Sequence, residues 1–126
     1  MADRRFQRGY QHLRPGAVVL EGSLTIGASG AVGTLDIPGV ASATRNGAGD
    51  YTFTLDDTYY AFLGMSVMVE STSLNAAEWQ LRNEDVNNAT TPIVRILFHN
   101  SESPPVATDP SNTTLWITIR LDTSAA

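Results

Sequence analysis

The run TTLWITIRL, residues 113–121, places Leu115, Ile117, Ile119 and Leu121 at every second position, with Trp116, Thr118 and Arg120 between them. Successive side chains of a strand point to opposite faces, so this rhythm buries one face and turns the other outward. The run YTFTLD, residues 51–56, repeats it: Tyr51, Phe53 and Leu55 alternate with Thr52, Thr54 and Asp56. A helix would scatter those apolar side chains around its circumference. Both runs therefore predict strands, and TTLWITIRL has the length and apolar content of a central one. Trp116 breaks the pattern, because its indole shares the polar face. A second sheet, an N-terminal arm or another subunit is expected to cover it.

Outward from these two runs the punctuation is that of an all-β chain. AVVLEGSLTI from Ala17 is rich in β-branched residues and ends at GASG. AVGTLDI follows, stopped by Pro38-Gly39, and then VASATR. Asn46-Gly47 and Gly49-Asp50 separate that run from YTFTLD with residues that tolerate the positive φ of hairpin loops. Tyr59, Tyr60, Phe62 and Leu63 form an apolar corner that leads into a strand with Met65, Val67 and Val69 on one face. Met68 falls on the other face, so this strand is apolar on both sides and predicts a cover for its outer side. AEWQLRN reads as a strand with Ala77, Trp79 and Leu81 together, a helical turn over SLNAAEWQL being the alternative. IVRILFH is another strand, and NSESPPVATDPSN is a loop whose three prolines exclude a regular element. The expectation is an antiparallel β-sandwich or jelly-roll-like domain of seven to eight strands, because the links are too short for helical crossovers. A partly open barrel is the rival, since periodicity does not say how the edges close. Whichever holds, arm, proline loop or subunit contacts are needed over those edges.

The length of 126 residues suits one domain. Charge divides the chain unevenly. All eight basic residues are arginine, and Arg4, Arg5, Arg8 and Arg14 stand against the single acid Asp3 in the first fourteen residues, a net charge of +3. The remainder carries four arginines against twelve acids, a net charge of −8. The division predicts an extended basic arm over residues 1–16 and a single β-sandwich domain over residues 17–126. An acidic body without lysine would repel a phosphate backbone, and Phe6 and Tyr10 are too few to make a stacking platform, so no nucleic-acid partner is expected. The arm suits an acidic protein surface or a neighbouring copy, with Phe6 and Tyr10 as apolar anchors among the arginines. The absence of cysteine excludes a disulfide framework and a thiolate metal site. The start lacks the apolar stretch of a signal peptide, which predicts a product not marked for secretion, and no run is apolar enough for a membrane span.

Residues that carry chemistry are sparse, so no enzyme activity, cofactor or metal is expected. His12 and His99 are far apart and have no acid at a ligand spacing. No serine lies in a G-x-S-x-G elbow. Asp56-Asp57 falls where a strand meets a turn, which favours capping over paired carboxylate catalysis. Asn83, Glu84, Asp85, Asn87 and Asn88 are oxygen-rich but lack the glycine and terminal glutamate spacing of a calcium loop. The glycines of TIGASGAVG have no following GK[ST], so they are not a phosphate loop. Asn88-Ala89-Thr90 and Asn112-Thr113-Thr114 match the glycan-acceptor pattern and read as polar loops. Trp79, Trp116, Tyr59 and Tyr60 would form a sugar platform if the fold brought them together, and they pack in a core or subunit contact otherwise.

The segment VASATRNGAGDYTFTLDDTYYAFLGMSVMVE carries the pattern TRxGxGxYTxTLxDxY, matched by Thr44, Arg45, Gly47, Gly49, Tyr51, Thr52, Thr54, Leu55, Asp57 and Tyr59. With the glycine-rich first strand pair before it and TLWITIRLDTS after it, the chain over about residues 17–122 resembles small β-rich structural proteins encoded among the virion genes of tailed bacteriophages. The resemblance implies a non-enzymatic virion component, foremost a capsid decoration or cement protein located on the capsid surface. Its implied partners are the major capsid protein and copies of itself, commonly as a homotrimer, with no membrane and no small-molecule substrate. The expected contact residues are Arg4, Arg5, Phe6, Arg8, Tyr10, Arg14, Met68 and Trp116. A carbohydrate-binding module of a tail or spike, or a tail or head-closure component, is the alternative.

Overall fold

A computed structural model describes residues 16–72 and 78–123. The arm positions Arg4, Arg5, Phe6, Arg8, Tyr10 and Arg14 lie outside the described residues, as do His12 and Ala77. Eight strands follow in order: β1 (Ala17–Ile26), β2 (Val32–Asp36), β3 (Val40–Gly47), β4 (Asp50–Leu55), β5 (Ala61–Glu70), β6 (Glu78–Asp85), β7 (Ile93–His99) and β8 (Thr113–Asp122). They form two four-stranded sheets, ordered β2-β1-β8-β5 and β3-β4-β7-β6, with antiparallel pairing throughout. The chain is an all-β sandwich, as the alternation in TTLWITIRL and YTFTLD predicts. A short 3-10 turn, Ala28–Gly30, joins β1 to β2, and Ser29 adopts φ 58° within it.

Both diagnostic runs lie inside their sheets. β8 pairs with β1 on one side and β5 on the other, while β4 lies between β3 and β7. Leu115, Ile117, Ile119 and Leu121 of β8 face Tyr51, Phe53 and Leu55 of β4 and Val94, Ile96 and Phe98 of β7 in one core. Tyr51 and Phe98 meet edge to face, their ring centroids 5.8 Å apart. This geometry favours the ring quadrupoles as well as burying both rings. Gly22 lets the corner between β2 and β3 close over β1: a Cβ there would lie 2.0 Å from the Asp36 carbonyl oxygen.

Each of the four edge strands carries an extra residue where its register with the inner neighbour shifts. The shift falls between Val32 and Leu35 of β2, at Ala41 and Asn46 of β3, at Leu63 of β5 and at Arg82 of β6. Bulges bend an edge away from flat pairing with another chain, so the strands themselves supply part of the edge protection the sequence requires. Trp79 and Leu81 of β6 lie opposite Phe98 and Ile96, two core residues, so they share one face as the alternation predicts. Trp79 packs against the core, while Leu81 stays 40% exposed. An edge strand has a neighbour on one side only, so a side chain on its inward face can remain partly open.

Candidate interaction surface

The solvent face of the first sheet is read off its register. Met68 of β5 lies opposite Trp116 of β8, which lies opposite Ser23 of β1. The adjacent row is Ser66, Thr118 and Glu21, and the next is Gly64, Arg120 and Val19. Trp116 and Met68 thus form a cross-strand pair, 48% and 68% exposed, away from the core. Both outward positions agree with the sequence reading. The Trp116 indole Nε1–H donates to Glu70 Oε1 at 2.7 Å, which restrains the ring's orientation. Around the pair lies an open depression of about 430 Å³ bounded by Glu21, Ser66, Met68, Trp116 and Thr118. An apolar centre with a polar and acidic rim is the composition of a protein-docking patch.

The second sheet turns a charged face outward. Asp50 begins β4 and accepts two bonds from Arg95 of β7, from Nε at 2.9 Å and from a terminal nitrogen at 2.6 Å. Arg82 approaches the same carboxylate at 3.5 Å, and Asn46 donates to it at 3.3 Å. The Arg95 hydrogen bonds hold the Asp50 carboxyl below its ordinary range, against the opposing effect of partial burial. With Asp50 committed to these partners, this face has ion pairs where the first sheet has an apolar centre.

A third cluster ties the proline loop to the hairpin. Asp109 receives Arg45 Nε at 3.0 Å and a terminal Arg45 nitrogen at 2.8 Å, and the Gly49 N–H at 2.8 Å. The Tyr51 hydroxyl donates to the Gly30 carbonyl at 2.7 Å, with an Asp109 oxygen 3.4 Å away. Arg45 and then the Gly49 N–H pull the Asp109 carboxyl down, burial opposing them. Burial first, and the Asp109 charge second, push the Tyr51 phenol up to about 12. Gly49 adopts φ 70°, and a Cβ on it would lie 2.3 Å from the Phe98 carbonyl oxygen, so the amide reaches Asp109 only because this residue is glycine. Arg45, Gly49 and Tyr51 of the hairpin pattern are therefore one half of a fastening whose other half is Asp109. No local signal marks Asp109, because its partners are 58 to 64 residues away in sequence.

The other candidates are spoken for or dispersed. Asn100 folds the proline loop back on itself, accepting from the Glu102 and Val106 amides through its side chain. Asn88 accepts from the Thr90 and Thr91 amides and donates to Asp85, a turn rather than an open cage for a cation. Asp57 accepts from the Thr58 amide at the end of β4. The four aromatic residues considered for a sugar platform do not come together: Tyr59 is buried, Trp79 packs inward from the second sheet, Tyr60 is exposed before β5, and Trp116 lies on the far side of the first sheet. Among the described residues no group of three or more His, Asp or Glu gathers in a metal-holding arrangement. Comparison with protein-family models, curated proteins and solved structures returns no match.

Proposed function

We propose that this chain is a non-enzymatic structural protein that acts by docking, and that its site is the outer face of the first sheet around Trp116 and Met68. The class of partner is a protein shell, with the chain serving as a capsid decoration or cement protein on a tailed-phage particle. The observation that carries the reading is the direct pairing of Trp116 with Met68 in the middle of a solvent-facing sheet. A large aromatic and a flexible thioether at the centre of an acidic rim are the side chains protein interfaces enrich. The arginines of the first fourteen residues add a positively charged segment that suits an acidic surface nearby. In a repetitive shell a first contact raises the local concentration for the next, so weak individual contacts suffice. The dispersal of Tyr59, Tyr60, Trp79 and Trp116 removes the main support for a sugar-binding role.

The test is occupancy on particles stripped of this protein. The unmodified chain is expected to rebind, and Trp116→Ala with Met68→Ser to lose most of that binding while remaining folded by circular dichroism. Rebinding unchanged by the double substitution would sink the docking surface. Recovery of the protein only with tails, or its absence from purified particles, would sink the capsid location.

A further inference from the structure

Beyond docking to a shell, the geometry points to a second copy of this chain pairing along the free edge of β5 about a two-fold axis through Val67, fusing the two first sheets into one eight-stranded sheet. Among the described residues β5 pairs with β8 alone. After its bulge at Leu63, β5 keeps unbroken register from Gly64 to Glu70, and no other edge strand has an unbulged run of that length. The inner side chains Met65, Val67 and Val69 are only partly buried beneath this edge, and Trp79 and Leu81 lie partly covered or exposed on the edge strand of the facing sheet. A long edge with apolar side chains to bury is a template for strand addition.

The sequence of that run fixes both occupant and register. Val67 is the midpoint of Gly64–Glu70, and a two-fold axis perpendicular to the sheet keeps inner faces with inner faces. Val67 then meets the other copy's Val67, Met65 meets Val69, and Ser66 meets Met68. At each end Glu70 comes opposite Gly64. There the guanidinium of Arg120 lies over Gly64, 3.1 Å from where a Gly64 Cβ would be. The glycine leaves room for that guanidinium, and the arriving Glu70 supplies its counter-charge. Within one chain Glu70 and Arg120 flank opposite ends of the run, about 20 Å apart at strand rise, so their attraction arises only between copies. Ser66, Met68 and Glu70 also border the Trp116 surface, where Glu70 accepts the indole N–H through Oε1, so the pairing is tested by the mass of the free protein and the shell docking by occupancy on particles.

Light scattering and sedimentation of the full chain across concentration test it. The expected mass is twice the chain mass of 13.5 kDa. Glu70→Arg or Arg120→Glu alone is expected to raise the dimer dissociation constant by about tenfold or more, and the two together to restore it. Amide exchange in Gly64–Glu70 is expected to slow as the dimer forms. A trimeric mass, a dimer indifferent to both charge reversals, or a monomer overturns the pairing. A monomer with protected β5 amides would instead assign that edge to another segment of the same chain.

Discussion

Tyr51 shows how one side chain serves two purposes. Its ring fills the core against Phe98, while its hydroxyl reaches the Gly30 carbonyl in the turn after β1. Tyr51→Phe keeps the ring and orphans a buried carbonyl, so a loss of about 1–2 kcal/mol is expected in urea unfolding. The same group predicts an alkaline limit. Because the folded phenol ionises near 12 and the unfolded one near 10, the folded state binds the proton more tightly. Its stabilisation is intact below pH 10 and is lost between 10 and 12, and Tyr51→Phe is expected to remove that part of the slope. Asp109 and Asp50 act at the other end. Their folded carboxyls are lowered from 3.8, so their contribution is present above that pH and is lost on further acidification through the lowered values. Thermal melts at pH 7 and below 4 should differ less in Asp109→Asn than in the unmodified chain.

Neighbouring residues within one strand should behave oppositely if the sheets are layered as described. Trp116 faces solvent and Ile117 is in the core. Ile117→Ala is expected to cost about 2–5 kcal/mol by leaving a cavity, and Trp116→Ala to change stability by about 0.5 kcal/mol or less, measured by the same unfolding curves. Two glycines make the matching contrast. Gly22→Ala would drive a methyl group into the Asp36–Ile37 backbone and is expected to cost about 1–3 kcal/mol, whereas a Cβ at Gly47 has nothing within 4 Å and should be tolerated. Strands were the legible part of this sequence. The period of two in TTLWITIRL brings burial in β8, which is paired on both sides, whereas at Leu81 it gives the face without the burial because β6 is an edge strand. Alternation reports the direction of a side chain, and burial depends additionally on what lies above it.

At the scale of the whole molecule, the sequence conveyed the outward positions of Trp116 and Met68 but not that they are cross-strand neighbours, since register follows from sheet order and sheet order from contacts far apart in the chain. For the same reason no local pattern marks Asp109 in its loop, and alternation alone does not separate Trp79 from Trp116, which lie on different sheets. Charge distribution needs no register. A segment of net charge +3 belongs to a chain whose remainder carries −8, with Arg45 and Arg95 already committed to Asp109 and Asp50. If the arginines of the first fourteen residues hold the protein to an acidic surface, that attraction is screened over about 8 Å at physiological salt. Occupancy on stripped particles should therefore fall as salt rises from about 0.05 to 0.5 M. Replacing Arg4, Arg5, Arg8 and Arg14 with glutamine should lower occupancy at the low-salt end and flatten the dependence, while the apolar contribution of Trp116 and Met68 persists at high salt. A salt dependence equally steep in the glutamine variant would assign the electrostatic attraction to the body of the domain and leave the arm without a part in docking.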